Sequence, residues 1–124
     1  MSADTNYDEL AVRVMARCDL LGAISEEEGR LTRRSLTPAM RRVHDEVAGW
    51  MRAAGMAVRE DGIGSLRGRY EAERPGAPTL LIGSHLDSVR DAGRYDGVLG
   101  VLVGLAAVEA LHGAGRRLPF AVEV

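Results

Sequence analysis

The strongest constraint on the fold is a single apolar-to-polar break in the second half of the chain. Residues 79–83 form a short apolar run, Thr79-Leu80-Leu81-Ile82-Gly83, that stops at Ser84-His85-Leu86-Asp87. A polar, glycine-bearing loop leads to Tyr95-Asp96-Gly97, and residues 98–112 are then almost wholly apolar. The first run is short and does not alternate, as expected of a central strand covered on both faces. The second is long enough for a buried helix, and Gly100 and Gly104 would let that helix approach another backbone closely. A strand, a loop and a helix packed back on the strand point to a piece of an α/β sheet.

The remaining elements agree with this class. Leu10, Val14, Cys18 and Leu21 share one face of a helix over residues 7–21, with Thr5 and Asp8 as a capping box and Gly22 as the stop. Residues 25–33, with Glu26, Glu27 and Glu28, read as a solvated loop, because carboxylates adjacent in sequence do not converge in space. Thr37-Pro38 is a helix start with proline at the first helical position. Met40, Val43, Val47, Trp50, Met51 and Ala54 make the buried stripe of that helix, and Gly55 ends it. His44 lies at the edge of the stripe and reads as a packing or surface histidine, since no second ligand stands at i+4. Residues 56–60 and 65–70 read as a hairpin around Asp61-Gly62-Ile63-Gly64, and residues 71–77 as a surface loop. A further strand begins at Pro119, and the sequence stops inside it. We therefore expect the N-terminal portion of a longer polypeptide, truncated after that strand.

Composition excludes several function classes. A net charge of −2 gives no basic field for nucleic acid. All 16 basic residues are arginine, and the pairs Arg33-Arg34, Arg41-Arg42 and Arg116-Arg117 read as solvated charges rather than a binding surface. The lone Cys18 rules out an internal disulfide. Met1-Ser2-Ala3-Asp4 shows no leader pattern, and the apolar run from Val98 to Leu111 contains Glu109 and is too short to cross a bilayer. These features predict a cytoplasmic chain with neither a nucleic-acid nor a membrane partner; the substrate class, a small molecule, follows only from the resemblance given below.

The chemistry concentrates in residues 83–97. In open α/β sheets, ligands bind beyond the carboxyl ends of the strands, where His85 and Asp87 stand. Their two-residue spacing puts both on one side of an extended chain. Imidazole nitrogen suits zinc, and carboxylate oxygen binds or bridges divalent ions. Asp96, at the start of the next helix, is placed to bridge two ions, and Asp87 could instead hold the His85 ring. Three rival readings exist. Ser84 beside His85 suggests a serine nucleophile, but adjacent residues on a strand face opposite ways and there is no G-x-S-x-G elbow. Gly97, Gly100 and Gly104 suggest a nucleotide loop, but lack the dinucleotide order and a P-loop lysine. The third is a non-catalytic, partner-binding fragment, with an apolar helix and an unfinished strand seeking a partner.

Gly83-Ser84-His85-Leu86-Asp87-Ser88-Val89, followed by Gly93-Arg94-Tyr95-Asp96-Gly97-Val98-Leu99-Gly100-Val101, closely resembles the zinc-dependent aminoacylase and carboxypeptidase family. The match is closest to its allantoate amidohydrolases and N-carbamoyl-L-amino-acid hydrolases. Leu36-Thr37-Pro38-Ala39, Trp50-Met51, Ala54-Gly55-Met56 and Asp61-Gly62-Ile63-Gly64 support it, although Ser65 stands where relatives often have asparagine. The resemblance implies part of a three-layer α/β/α catalytic domain with a mixed sheet, and hydrolysis of linear amide or ureido C–N bonds by a metal-activated water. It makes His85 a ligand to one metal, Asp96 the carboxylate bridging both, and Asp87 the catalytic-site residue steadying His85. It implies two divalent ions, zinc or manganese, and a homodimer for the full-length enzyme. The glutamate base, the later histidine ligands and the dimerisation domain have no counterpart in the chain, and Glu123 lies within the last strand rather than after it. Two ligands do not complete a catalytic zinc site, so the isolated chain is expected to bind metal weakly and to be inactive.

Overall fold

A computed structural model describes residues 5–124; Met1-Ser2-Ala3-Asp4, read above for a leader, lies outside them. The described residues form three helices and four strands, in the order α1 (Tyr7–Gly22), α2 (Pro38–Ala53), β1 (Ala57–Glu60), β2 (Leu66–Tyr70), β3 (Thr79–Leu81), α3 (Val98–Gly113) and β4 (Ala121–Glu123). The strands make one mixed sheet in the order β1-β2-β4-β3. β1 and β4 both run antiparallel to β2, whereas β3 runs parallel to β4. The α/β class with a mixed sheet is therefore as expected.

α2 forms where its signals place it. The Thr37 side chain accepts from the Met40 amide at 3.3 Å, Pro38 occupies the first turn, and Gly55 follows at φ 75°. Val43, Val47 and Met51 are essentially inaccessible to solvent. Burying each such side chain contributes roughly 1.5–3 kcal/mol. α1 is capped one residue later than expected: Asn6, not Thr5, accepts from the Glu9 amide at 3.2 Å. Asn is as good an N-cap as Thr, so spacing alone does not choose between them.

Register sorts the faces of the sheet. Val58 opposite Gly68, and Tyr70 opposite Val122, place these residues on one face. The helices cover that face. A side chain on Gly68 would stand 2.6 Å from Met51 Sδ, and the Tyr70 hydroxyl donates to the Arg116 carbonyl at 2.9 Å. On the opposite face, Glu123 is buried beneath arginines: Arg67 Nε donates to it at 2.5 Å, Arg69 lies 3.5 Å away and Arg59 3.9 Å. The described residues thus supply two layers of the expected three.

Two expectations are corrected here. Among the described residues β3 stands at the edge of the sheet with exposed residues, Leu81 being 64% exposed, and the buried strand is β4. The apolar run suggested cover on both faces, but the crossover through α3 inserts β4 between β2 and β3. Arg33 is not a solvated charge: it is completely buried.

Candidate metal centre

The site is built where β3 meets the N-terminus of α3. After Leu81 the chain stays tied to β4 for one more residue, with the Ile82 amide donating to the Glu123 carbonyl at 2.8 Å. Ser84 Oγ then donates to the Gly97 carbonyl at 2.7 Å, clamping the strand end to the first turn of α3. The helix glycines permit this approach. A Cβ on Gly100 would sit 2.8 Å from Ser84 Oγ, and one on Gly104 3.0 Å from Ile82 Cγ2. Gly97 has φ 73°, and a Cβ there would collide with Cε1, Nδ1 and Nε2 of His85. The imidazole therefore lies in a cradle that only glycine leaves open.

His85, Asp87 and Asp96 are brought together. His85 Nδ1 lies 2.9 Å from the Asp87 carbonyl oxygen, and 3.4 Å from Asp87 Oδ1. A carbonyl can only accept, so Nδ1 carries a proton, and Nε2 is the nitrogen turned outward. Asp87 thus holds the ring mainly through its backbone. Nε2 faces Asp96 Oδ1 at 3.6 Å, too far for a hydrogen bond. Two such atoms sharing a tetrahedral zinc ion stand about 3.4 Å apart. A neutral imidazole nitrogen and a carboxylate at this separation suit a divalent ion, and Asp96 also gains from the positive end of α3. The residues present therefore fit such an ion as a partial donor set. Among the described residues no group of three or more His, Cys, Asp and Glu is arranged to hold a metal ion. Asp87 and His85 line one end of a groove of about 680 Å³ whose other walls include Ser35, Thr37, Gly64 and Arg67.

Glu26, Glu27 and His44 are engaged elsewhere. Glu26 pairs with Arg34, whose Nη2 lies 2.8 Å from Oε1, and Glu27 accepts from the Thr32 hydroxyl at 2.5 Å. His44 is buried, with Nδ1 2.7 Å from Glu60 Oε1, and Arg41 bonds both oxygens of Glu60 at 2.6 and 3.1 Å. Arg41 first, and then His44, hold the Glu60 carboxyl down at about 2.

Residues 31–33, which the sequence left in a solvated loop, brace the site. The Ser88 amide donates to the Arg33 carbonyl and the Ala92 amide to the Leu31 carbonyl, each at 2.8 Å. The Arg33 amide donates to Ser88 Oγ at 2.8 Å, and the Asp91 amide to Thr32 Oγ1 at 3.1 Å. No local pattern announces this pairing, because its partners lie more than fifty residues away.

Comparison with known proteins bears on the fold and the family. No family model matches the chain. It is 42% identical over 113 residues to the N-carbamoyl-L-amino acid amidohydrolase of Geobacillus stearothermophilus, covering 90% of this chain and 28% of that protein. It is 40% identical over 112 residues to allantoate deiminase 1 of Glycine max, covering 89% and 23%. The crystal structure of a hydantoinase/carbamoylase family amidase from Burkholderia ambifaria superposes with a TM-score of 0.85 at 35% identity, over 96% of this chain and 30% of that one. The resemblance read from residues 83–101 is therefore borne out: the chain is a relative of the N-carbamoyl-L-amino-acid amidohydrolases and allantoate deiminases, spanning about a quarter of their length.

Proposed function

We propose that the chain carries half of a two-metal centre for hydrolysing linear amide or ureido C–N bonds, in substrates of the allantoate or N-carbamoyl amino acid type. The observation that carries this is the His85 ring, fixed through Nδ1 with Nε2 turned towards Asp96 at 3.6 Å. In this reading His85 supplies a neutral nitrogen ligand and Asp96 a carboxylate able to bridge two ions. Asp87 keeps the ring in the tautomer that exposes Nε2. A divalent ion held there, zinc or manganese, would polarise the scissile carbonyl and acidify a water. The groove beside His85 and Asp87 offers room for a small substrate. The general base and the remaining ligands have no counterpart among these residues, so the 124-residue chain by itself is predicted to be inactive.

A segment exchange tests the reading. The chain replaces the aligned segment of the Geobacillus stearothermophilus relative, and turnover of an N-carbamoyl-L-amino acid is measured with zinc or manganese. Turnover that is lost on chelation, and lost in His85→Ala and Asp96→Asn, is expected. Turnover indifferent to both substitutions would sink the proposal, as would turnover by the 124 residues alone.

A further inference from the structure

Arg33 is a buried cation whose guanidinium bonds all run to main-chain oxygens. Nε donates to the Leu86 carbonyl at 3.0 Å, and Nη1 to the Leu21 and Ile24 carbonyls at 2.6 and 2.8 Å. Nη2 is buried with no partner among the described residues. Leu21 lies in the last turn of α1, whose carbonyl end attracts positive charge, and its carbonyl also accepts from the Ile24 amide at 3.1 Å. Leu86 stands between His85 and Asp87, with its side chain buried in the core. One planar fork therefore ties the end of α1 to the peptide between two of the site residues. Burial holds the guanidinium below its usual range, and the Asp87 carboxylate only partly opposes this. A buried cation without an ion-pair partner carries a desolvation cost that its three charge-assisted hydrogen bonds offset.

We propose that Arg33 is a positioning residue for the metal centre. By fixing the Leu86 carbonyl, it sets the next peptide so that the Asp87 carbonyl receives His85 Nδ1–H and leaves Nε2 facing Asp96. This deepens the metal-centre reading and rests on it for its meaning, but its first readout requires no metal.

The test compares the 124-residue chain with Arg33→Met and Arg33→Lys at about pH 8.5, well above the ordinary histidine value of ~6.5. Imidazole nitrogen spectra report the His85 tautomer, and zinc titration reports affinity. Wild type should show one Nδ1-protonated His85. Arg33→Met, with the helical signal and the β1–β2 amide spectrum kept, should show mixed tautomers and zinc binding weakened by about 10–100-fold. Arg33→Lys, retaining a donor to Leu86, should fall between. A folded Arg33→Met with the wild-type tautomer would overturn the proposal. Should that variant not fold, the wild type decides: a slowly exchanging Arg33 Nε–H coupled through its hydrogen bond to the Leu86 carbonyl supports it, and loss of that coupling overturns it. Zinc that fails to bind wild type, beside an Arg33-dependent tautomer, would count against the metal centre and not against the positioning.

Discussion

The chain holds two histidines beside carboxylates, and they teach opposite lessons. His44 is buried and bonded to Glu60 at 2.7 Å, and Arg41 already neutralises that glutamate. Its Nδ1 is engaged, and the contact ties α2 to β1. His85 is about half exposed, and its Nε2 stops 3.6 Å short of Asp96. Its other nitrogen is fixed, Gly97 leaves the ring room, and the facing carboxylate stays unbonded to it. A satisfied pair is structural; an oriented pair held just beyond bonding distance is a place for something else to bind.

The largest effect is expected from Gly97→Ala. The new Cβ would occupy the His85 cradle and also meet a left-handed φ, costing about 1–3 kcal/mol in backbone strain. Thermal unfolding should record that loss, and zinc titration should show binding abolished. Asp96→Asn sharpens the contrast. It should remove zinc binding while changing stability by less than about 0.5 kcal/mol, because Asp96 is a surface residue. His44→Ala should do the reverse. Zinc binding should persist, while denaturant unfolding shows a loss of about 1–3 kcal/mol from the lost buried ring and its hydrogen bond to Glu60. A smaller effect is expected in acid. Arg41 and His44 hold Glu60 at about 2, and Arg34 holds Glu26 at about 2. A depressed carboxylate stabilises the fold fully above its unfolded value. That contribution should fade as pH falls from about 4.5 towards 2, with both groups titrating late in carboxyl carbon spectra.

How much of this was visible in the sequence depended on how local the cause was. α2 was readable because Thr37, Pro38 and Gly55 act on their own backbone. The hairpin was readable from its turn, where Asp61 Oδ1 receives the amides of Ile63 and Ser65. The rank of β3 was not, since whether a strand is central depends on where β4 inserts after a crossover. His85, Asp87 and Asp96 could be named from strand-end position and spacing, and they do meet. That Asp87 grips the ring by its carbonyl, and that Arg33 lies buried under Leu86, required the fold. Nothing in the pair Arg33-Arg34 distinguishes the residue that is fully buried from its neighbour, which lies exposed against Glu26.

The contrast between the two histidines gives the most direct test. Zinc is titrated into the chain while the imidazole nitrogens of His44 and His85 are followed together. The account predicts that His85 Nε2 shifts with saturating zinc, that His44 stays where it was, and that Asp96→Asn removes the response. A response at His44 with His85 silent, or a His85 response untouched by Asp96→Asn, would contradict it.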